Sequence, residues 1–377
     1  MDYINPALVI PPKTQKSGTV SWRSPSNLAL IKYWGKHGVQ LPRNPSISFT
    51  LANAYTETTL SYESKERKTK DEERRTKDEG RSFEDIDLTF LFEGQAQEAF
   101  RLKQLKFLES IADIFPFLRQ LNLRIESSNS FPHSAGIASS ASSMSALALC
   151  LCSVERTLFG SFYDEDSFLR KASFIARLGS GSACRSVYPI MAVWGETPEV
   201  RGSSDLYAVP FVEDIHPVFS TYHDDILIAS RGEKSVSSRA GHGLMEGNVF
   251  AESRYAQARS RMSSLLSALK SGDLEVFGQI CEDEALTLHA MMMSSSPSFT
   301  LLRPNTLMLI ERLRAFRQRT KLPVYFSLDA GPNLHVLYPD EVKALVGAFI
   351  RDELARYCEN GEVIGDVVGS GAERVFI

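Results

Sequence analysis

Cysteine is scarce in this chain and scattered along it. The five residues Cys150, Cys152, Cys184, Cys281 and Cys358 are odd in number and lie in apolar or helical contexts. That fits reduced thiols in a cytosolic protein better than a disulfide framework. Cys150 and Cys152 are too close for a usual zinc pair, and no second pair follows. The seven histidines fall in no metal-ligand spacing, form no H-E-x-x-H, and support no persuasive Ser-His-Asp order. No apolar run approaches the roughly 20 residues that cross a bilayer. The first residues carry only a short apolar patch, Ala7 to Ile10, among prolines, unlike a signal peptide. An excess of either charge is missing too: 42 basic residues meet 46 acidic ones, for a net charge of −4. The chain has no general attraction for nucleic acid or an anionic membrane. An anionic substrate must be held by a local cluster of cations and backbone N–H groups.

What is present is a chain of 377 residues, 43% apolar and 23% charged, enough for roughly two domains with packed cores. Ile47, Phe49 and Leu51 alternate with Ser46, Ser48 and Thr50, predicting a strand over Pro45 to Leu51. Further strands are predicted at Thr19 to Ser24, Thr56 to Tyr62, Ile86 to Phe92, Val187 to Trp194, Asp225 to Ala229, Val324 to Leu328, His335 to Tyr338 and Arg374 to Ile377. Helical patterning covers Glu98 to Leu118, Met144 to Leu158, Asp166 to Leu178, Gly247 to Leu269, Leu274 to Met293, Thr306 to Arg319 and Asp340 to Tyr357. The charged run Lys65 to Arg81, with Thr-Lys-Asp-Glu at Thr69 and again at Thr76, reads as the solvated tip of a long hairpin. Its interleaved signs argue against a basic arm. Mixed elements with long helices clustered late imply an α+β fold in two domains rather than an alternating doubly wound sheet. The polar stretch Glu213 to His223 marks the boundary, giving domains of 1–222 and 223–377.

Four segments and one carboxylate carry chemistry. Ser327-Leu-Asp329-Ala-Gly-Pro-Asn333 places a lone acid where an apolar strand meets a turn, a position from which a rigid element presents a side chain to a cleft. Taken alone it also fits a turn aspartate capping its own backbone; beside bound phosphates it implies phosphoryl transfer. Pro132 to Ser143 is built of small residues ahead of an apolar helix, so free N–H groups and the hydroxyls of Ser139 and Ser140 can meet phosphate oxygens. It lacks the G-K-[ST] of a Walker loop, and its composition fits a flexible approach to the helix equally well. Gly179-Ser-Gly-Ser-Ala-Cys-Arg185 permits an anion-binding backbone nest, with Arg185 as a fork-shaped cation. In Asn27 to Lys36, Lys32 interrupts an apolar run, which is costly unless a carboxylate or phosphate pairs with it. Lys234 to Arg239 again sets hydroxyls beside cations.

These segments together resemble the GHMP small-molecule kinase superfamily and, within it, the mevalonate diphosphate decarboxylases. The resemblance is carried by Asn27-Leu-Ala-Leu-Ile-Lys-Tyr-Trp-Gly-Lys36, Leu41 to Leu51, Pro132 to Ala141, Gly179 to Arg185, Ser237-Ser-Arg239 and Asp329-Ala-Gly-Pro-Asn333, in family order across nearly the whole chain. Two departures are an opening Ser24-Pro-Ser-Asn27 where relatives often have an alanine-led version, and His133-Ser134 in place of the commoner Thr-Ala.

The resemblance implies a ribosomal-S5-like first domain and a ferredoxin-like second one, with the active site between them. It implies ATP-dependent decarboxylation of mevalonate 5-diphosphate, with magnesium accompanying ATP, in a cytoplasmic homodimer that engages neither nucleic acid nor membrane. It assigns catalysis to Asp329 and Lys32. Substrate binding falls to Tyr33, Lys36, Ser180, Ser182, Arg185, Ser238 and Arg239. ATP falls to Asn27, Pro132, Gly136, Ala138, Ser139 and Ser140, with Ser140 as the candidate metal ligand. Three other readings remain open: a relative that stops at 3-phosphorylation or takes the monophosphate, a non-catalytic binding homologue, and an S5-like nucleic-acid binder. The retained acid and phosphate segments weigh against the second of these, and the charge balance against the third.

Overall fold

The strand predicted from Thr19 and the apolar stretch after Asn27 belong to one strand, Ser17–Ile31. The protein is described by a computed structural model covering residues 3–65, 86–131, 139–232 and 238–376, with only the backbone at Ser238 and Arg239. In chain order its longer strands are β1 (Ser17–Ile31), β2 (Ser46–Ser64), β3 (Asp87–Phe92), β4 (Leu121–Asn129), β5 (Met191–Trp194), β6 (Ala208–Pro210), β7 (His223–Leu227), β8 (Tyr325–Leu328), β9 (Leu334–Tyr338), β10 (Val363–Val367) and β11 (Glu373–Val375). The helices are α1 (Glu98–Ser110), α2 (Ser139–Phe159), α3 (Glu165–Gly179), α4 (Ser238–Gly243), α5 (Ala251–Ser271), α6 (Leu274–Met293), α7 (Pro304–Thr320) and α8 (Lys343–Phe349). One sheet runs β11-β1-β2-β4-β3, with β5 on β2 and β6 on β5; a second runs β8-β9-β7-β10. The second is antiparallel throughout. Segregated sheets with late helices make the fold α+β.

Some expectations need correction. β2 and β3 are not hairpin partners, because β4 lies between them, antiparallel to β2 and parallel to β3. β4 alternates buried Leu121, Leu123 and Ile125 with outward Asn122, Arg124 and Glu126, yet neither it nor β10 was predicted. Residues 66–85, most of the charged run, lie outside the described residues. The helix predicted to reach Leu118 ends at Ser110, and Pro116, lacking an N–H, opens a separate 3₁₀ turn, Pro116–Gln120. The helix predicted over Asp340 to Tyr357 is regular only across α8; a wider turn, Ile350–Leu354, then a 3₁₀ turn follow.

Leu28, Leu30, Ile31, Ile47 and Phe49 of the first sheet share one apolar cluster with Ile226, Tyr325 and Leu337 of the second and with Met262 and Phe277 of α5 and α6. The end of β1 is therefore buried on both faces, which is why it reads as an apolar run rather than an alternation. The serines opening α2 let the helix lie close on the sheet. Ser142 and Thr56 share a 2.7 Å hydroxyl contact, and Ser24 donates to Ser145 at 2.8 Å, so these buried hydroxyls are satisfied.

Between Thr50 and Tyr55, β2 carries extra residues against Pro25 to Asn27. The N–H groups freed by that bulge, those of Ala52, Asn53 and Ala54, donate to the Asp366 carboxylate at 2.7–2.8 Å. A side chain of β10 thus completes the hydrogen bonding of the other sheet. The five cysteines are buried and unpaired. Among the described residues no helix is long and apolar enough to cross a membrane.

The packing of α6 on β8 requires Gly278, where an added Cβ would stand 2.1 Å from the Tyr325 ring. Alanine gains about 1 kcal/mol in helix propensity over glycine, but overpacking costs about 1–3 kcal/mol. Gly278→Ala is expected to lower the urea midpoint with an unchanged m-value; a raised midpoint would contradict this packing.

Candidate active site

Lys32 follows the last residue of β1, and Asp329 follows the last residue of β8. The Lys32 ammonium reaches the Asp329 carboxylate at 2.9 Å, with the lysine side chain 3% exposed and the aspartate 22%. The lysine is therefore buried and paired with a carboxylate, one of the two partners its apolar context called for, while the aspartate keeps access to solvent. Asp329 is more than a turn cap: its carbonyl accepts from Gly331 N–H at 2.7 Å and from His289 Nε2 at 3.1 Å, while its carboxylate faces the lysine.

Behind the pair lies a buried network. Glu284 of α6, fully buried, accepts from the Lys32 backbone N–H at 2.9 Å. It also binds Arg254 of α5 through both oxygens, at 2.9 and 2.5 Å, and Arg261 at 2.9 Å. Arg254 in turn donates to the Lys32 carbonyl at 3.0 Å. Sequence reading passed over these residues, although a signal exists. Glu284 lies on the buried stripe of α6 with Phe277, Cys281 and Leu288, and Arg254 lies on that of α5 with Tyr255, Ala258 and Met262. A charge on an apolar stripe needs a partner.

Both Lys32 and Asp329 line a cleft of about 530 Å³. The same cleft gathers Asn27, Tyr33, Lys36, Ser139, Ser140, Ser180, Ser182 and Arg185 from the sequence-derived set. Arg185 is almost fully buried; it donates to Ser48 at 2.8 Å, Ser46 at 2.5 Å and Asn27 at 3.4 Å. Those contacts use three of a guanidinium's five donors. Burial lowers Arg185 from its ordinary value, opposed by Cys184, Tyr33 and Asp329; an arginine stays charged regardless. The serines of β2 that alternate with its apolar residues thus form a buried seat for a cation. Asn27 also donates to Ser186 at 2.8 Å and to the Ser182 carbonyl at 3.3 Å, so its direct partners belong to the Arg185 segment rather than to Ser139 and Ser140.

The Gly179 to Arg185 segment is not a nest of alternating handedness. Neither glycine takes a positive φ, and Gly181–Arg185 is a 3₁₀ turn. Gly181 is needed instead for close approach, since a Cβ there would lie 2.6 Å from the Tyr33 hydroxyl and 2.8 Å from Trp194. Ser180 meets Ser140, at the start of α2, with hydroxyls 3.3 Å apart. Burial raises the Tyr33 phenol well above its ordinary value, leaving it a neutral donor. Tyr33 stacks on His242 with ring centres 4.3 Å apart, and Trp34 packs on the same ring at 4.5 Å. The His242 Nδ1 accepts from Gly35 N–H at 3.0 Å. Burial, and then the Lys36 ammonium, push this histidine down to about 3, so it is a neutral ring. Lys36 Nζ donates to Gln40 at 2.9 Å. Pro132, Gly136 and Ala138 lie outside the described residues, as do the side chains of Ser238 and Arg239.

The arrangement sets an accessible carboxylate beside a fixed ammonium. Along the same cleft run a buried guanidinium, hydroxyls and the first turn of a long helix. That combination can hold phosphate groups and direct a hydroxyl at one of them.

Residues 24–207 match the family described as the diphosphomevalonate decarboxylase-like N-terminal domain. Residues 225–363 match the mevalonate 5-diphosphate decarboxylase C-terminal domain. The diphosphomevalonate decarboxylase of Bos taurus is 30% identical over 341 residues, spanning 88% of this chain and 80% of that protein. The crystal structure of mevalonate diphosphate decarboxylase from Staphylococcus aureus is similar at a TM-score of 0.77 and 28% identity, over 97% of this chain and 99% of that one. A structure of MDDEF in complex with MVAPP, AMPPCP and magnesium reaches the same TM-score of 0.77 at 28% identity, over 96% and 99% of the two chains. With both halves matched in order and one architecture shared nearly end to end, this chain belongs to the diphosphomevalonate decarboxylase family.

Proposed function

We infer that this chain carries out the ATP-dependent decarboxylation of mevalonate 5-diphosphate, in the mevalonate pathway, to isopentenyl diphosphate with release of ADP, phosphate and carbon dioxide. The observation that carries the reading is the 2.9 Å contact between Lys32 and Asp329 on the wall of a cleft also lined by Arg185 and the start of α2. Asp329 takes or orients the proton of the tertiary 3-hydroxyl, whose oxygen attacks the γ-phosphorus as ADP leaves. A positioned base contributes about 10²–10⁴ in rate. The C3–O bond then breaks, phosphate departs with the electron pair, and the electrons of the C–CO₂ bond form the alkene. The Lys32 ammonium favours the ionised carboxylate, which in turn stabilises positive charge developing at C3.

Arg185, Ser180, Ser182, Tyr33 and Lys36, with Ser238 and Arg239, would hold the substrate's diphosphate and carboxylate. Ser139 and Ser140, with the Pro132, Gly136 and Ala138 backbone, would hold the ATP phosphates, and the wall of Phe90, Phe92 and Phe100 in the same cleft suits the base. Asn27 is better read as a support for Arg185. Among the described residues no three His, Cys, Asp or Glu side chains gather to hold a metal. Magnesium would be held chiefly by the nucleotide phosphates, with the Ser140 hydroxyl as the fitting protein ligand, and would supply charge neutralisation at the transferring phosphate. The boundary at 222/223 is supported by the separate spans 24–207 and 225–363. A cytoplasmic homodimer is supported by the family resemblance alone.

Incubation with ATP, magnesium and carboxyl-labelled mevalonate 5-diphosphate is expected to release labelled carbon dioxide and ADP in equal amounts; ADP alone would make the protein a 3-kinase. Asp329→Asn should lower kcat by about 10²–10⁴ with nucleotide affinity nearly intact, and near-normal turnover would remove Asp329 from the chemistry. Arg185→Lys, keeping the charge but losing the fork, should raise the KM for the diphosphate substrate by about tenfold, roughly one lost charge-assisted contact, and leave that for ATP unchanged. An unaltered substrate KM would separate this arginine from the diphosphate.

A further inference from the structure

Lys32 and Asp329 stand at the ends of strands in two different sheets, so no shared ladder sets their separation. α6 touches both. Its Glu284 accepts the Lys32 N–H at 2.9 Å, and the Arg254 gripped by that carboxylate donates to the Lys32 carbonyl at 3.0 Å. The peptide groups on both sides of Lys32 are therefore tied to one buried ion pair. Five residues further along α6, His289 donates from Nε2 to the Asp329 carbonyl at 3.1 Å. Glu284 is 0% exposed and His289 1%. Neither lines the cleft, whereas Leu288 beside His289 does.

We propose that α6 sets the register of Lys32 against Asp329, with Glu284 and His289 acting as positioning residues for the transfer step. Charge-assisted hydrogen bonds away from water are strong and directional. A displacement near 1 Å in a reacting group can cost about 10² in rate. Glu284 and His289 act on the backbone of the pair, so substrate affinity is left to the residues of the cleft wall. This inference rests on the phosphoryl-transfer reading above.

The test compares His289→Leu, which removes the donor, with His289→Gln, whose amide nitrogen reaches nearly the position of Nε2. Glu284→Asp serves as a third variant, keeping the charge and shortening the reach. His289→Leu and Glu284→Asp are expected to lower kcat by about 10–100-fold while the KM for ATP and for mevalonate 5-diphosphate stays near wild type. His289→Gln should recover most of the rate. Crystal structures of the histidine variants should show the Lys32–Asp329 contact kept in the glutamine form and lengthened in the leucine form, a readout that needs no turnover. Equal kcat for the leucine and glutamine variants, or an unmoved contact in the leucine form, would overturn the proposal. A wild-type enzyme that releases no carbon dioxide would instead defeat the decarboxylase reading, and the crystallographic comparison would still decide this one.

Discussion

The Lys32 ammonium is 3% exposed, and a charge so far from water is tolerable only against an opposite charge. That constraint organises the centre of the molecule. The fold meets it by setting Asp329, at the end of a strand of the second sheet, beside the end of β1 in the first, and by fixing the peptide around Lys32. Glu284 and Arg254 supply the fixing, and each neutralises the other's burial. Lys32, Arg185, Arg254 and Arg261 then meet Asp329, Glu284 and the half-exposed Asp283. Positive charge is in excess there, inside a chain whose net charge is −4. A polyanionic substrate is thus met by local composition rather than by an overall field.

The rest of the cleft is built by residues chosen for smallness. Ser46 and Ser48 seat Arg185, Ser142 and Ser145 let α2 settle on the sheet, and Gly181 admits the Tyr33 hydroxyl and the edge of Trp194. Each replaces bulk by a hydroxyl or by nothing, so backbone and cations can come close to one another and to a ligand. The stack of Tyr33, His242 and Trp34 adds a stiff, uncharged wall beside the Lys36 ammonium.

Much of this was legible from residue order. Asp329 at a strand end, Lys32 in an apolar run, and Arg185 after small residues each violate a local rule that only a partner or ligand repairs, and sequence can register such violations. The segregated α+β architecture followed from the order of periodic segments. What escaped depends on the third dimension. Ser46, Ser48 and Thr50 look like the wet face of a strand, yet Arg185 packs on Ser46 and Ser48 and Thr50 donates to the Gly369 carbonyl, so that face is buried. β4 alternates cleanly, but lying between β2 and β3 it breaks the hairpin that their spacing suggested. Glu284 and Arg254 carried a signal in their helical stripes, yet which charge they would meet was set by packing of helices some thirty residues apart. The nest expected at Gly179 to Ser182 failed because glycine serves close approach as readily as unusual torsion.

Lys32 and Asp329 are 297 residues apart in the chain. Bringing the ends of so long a loop together in an unfolded chain costs about 5 kcal/mol in entropy by the logarithmic loop law, more than one part-exposed ion pair returns. The pair is therefore an outcome of the folded state and not a driver of it. Its geometry is set by the packing of the folded chain, so the ammonium and the carboxylate act on a bound substrate as fixed charges.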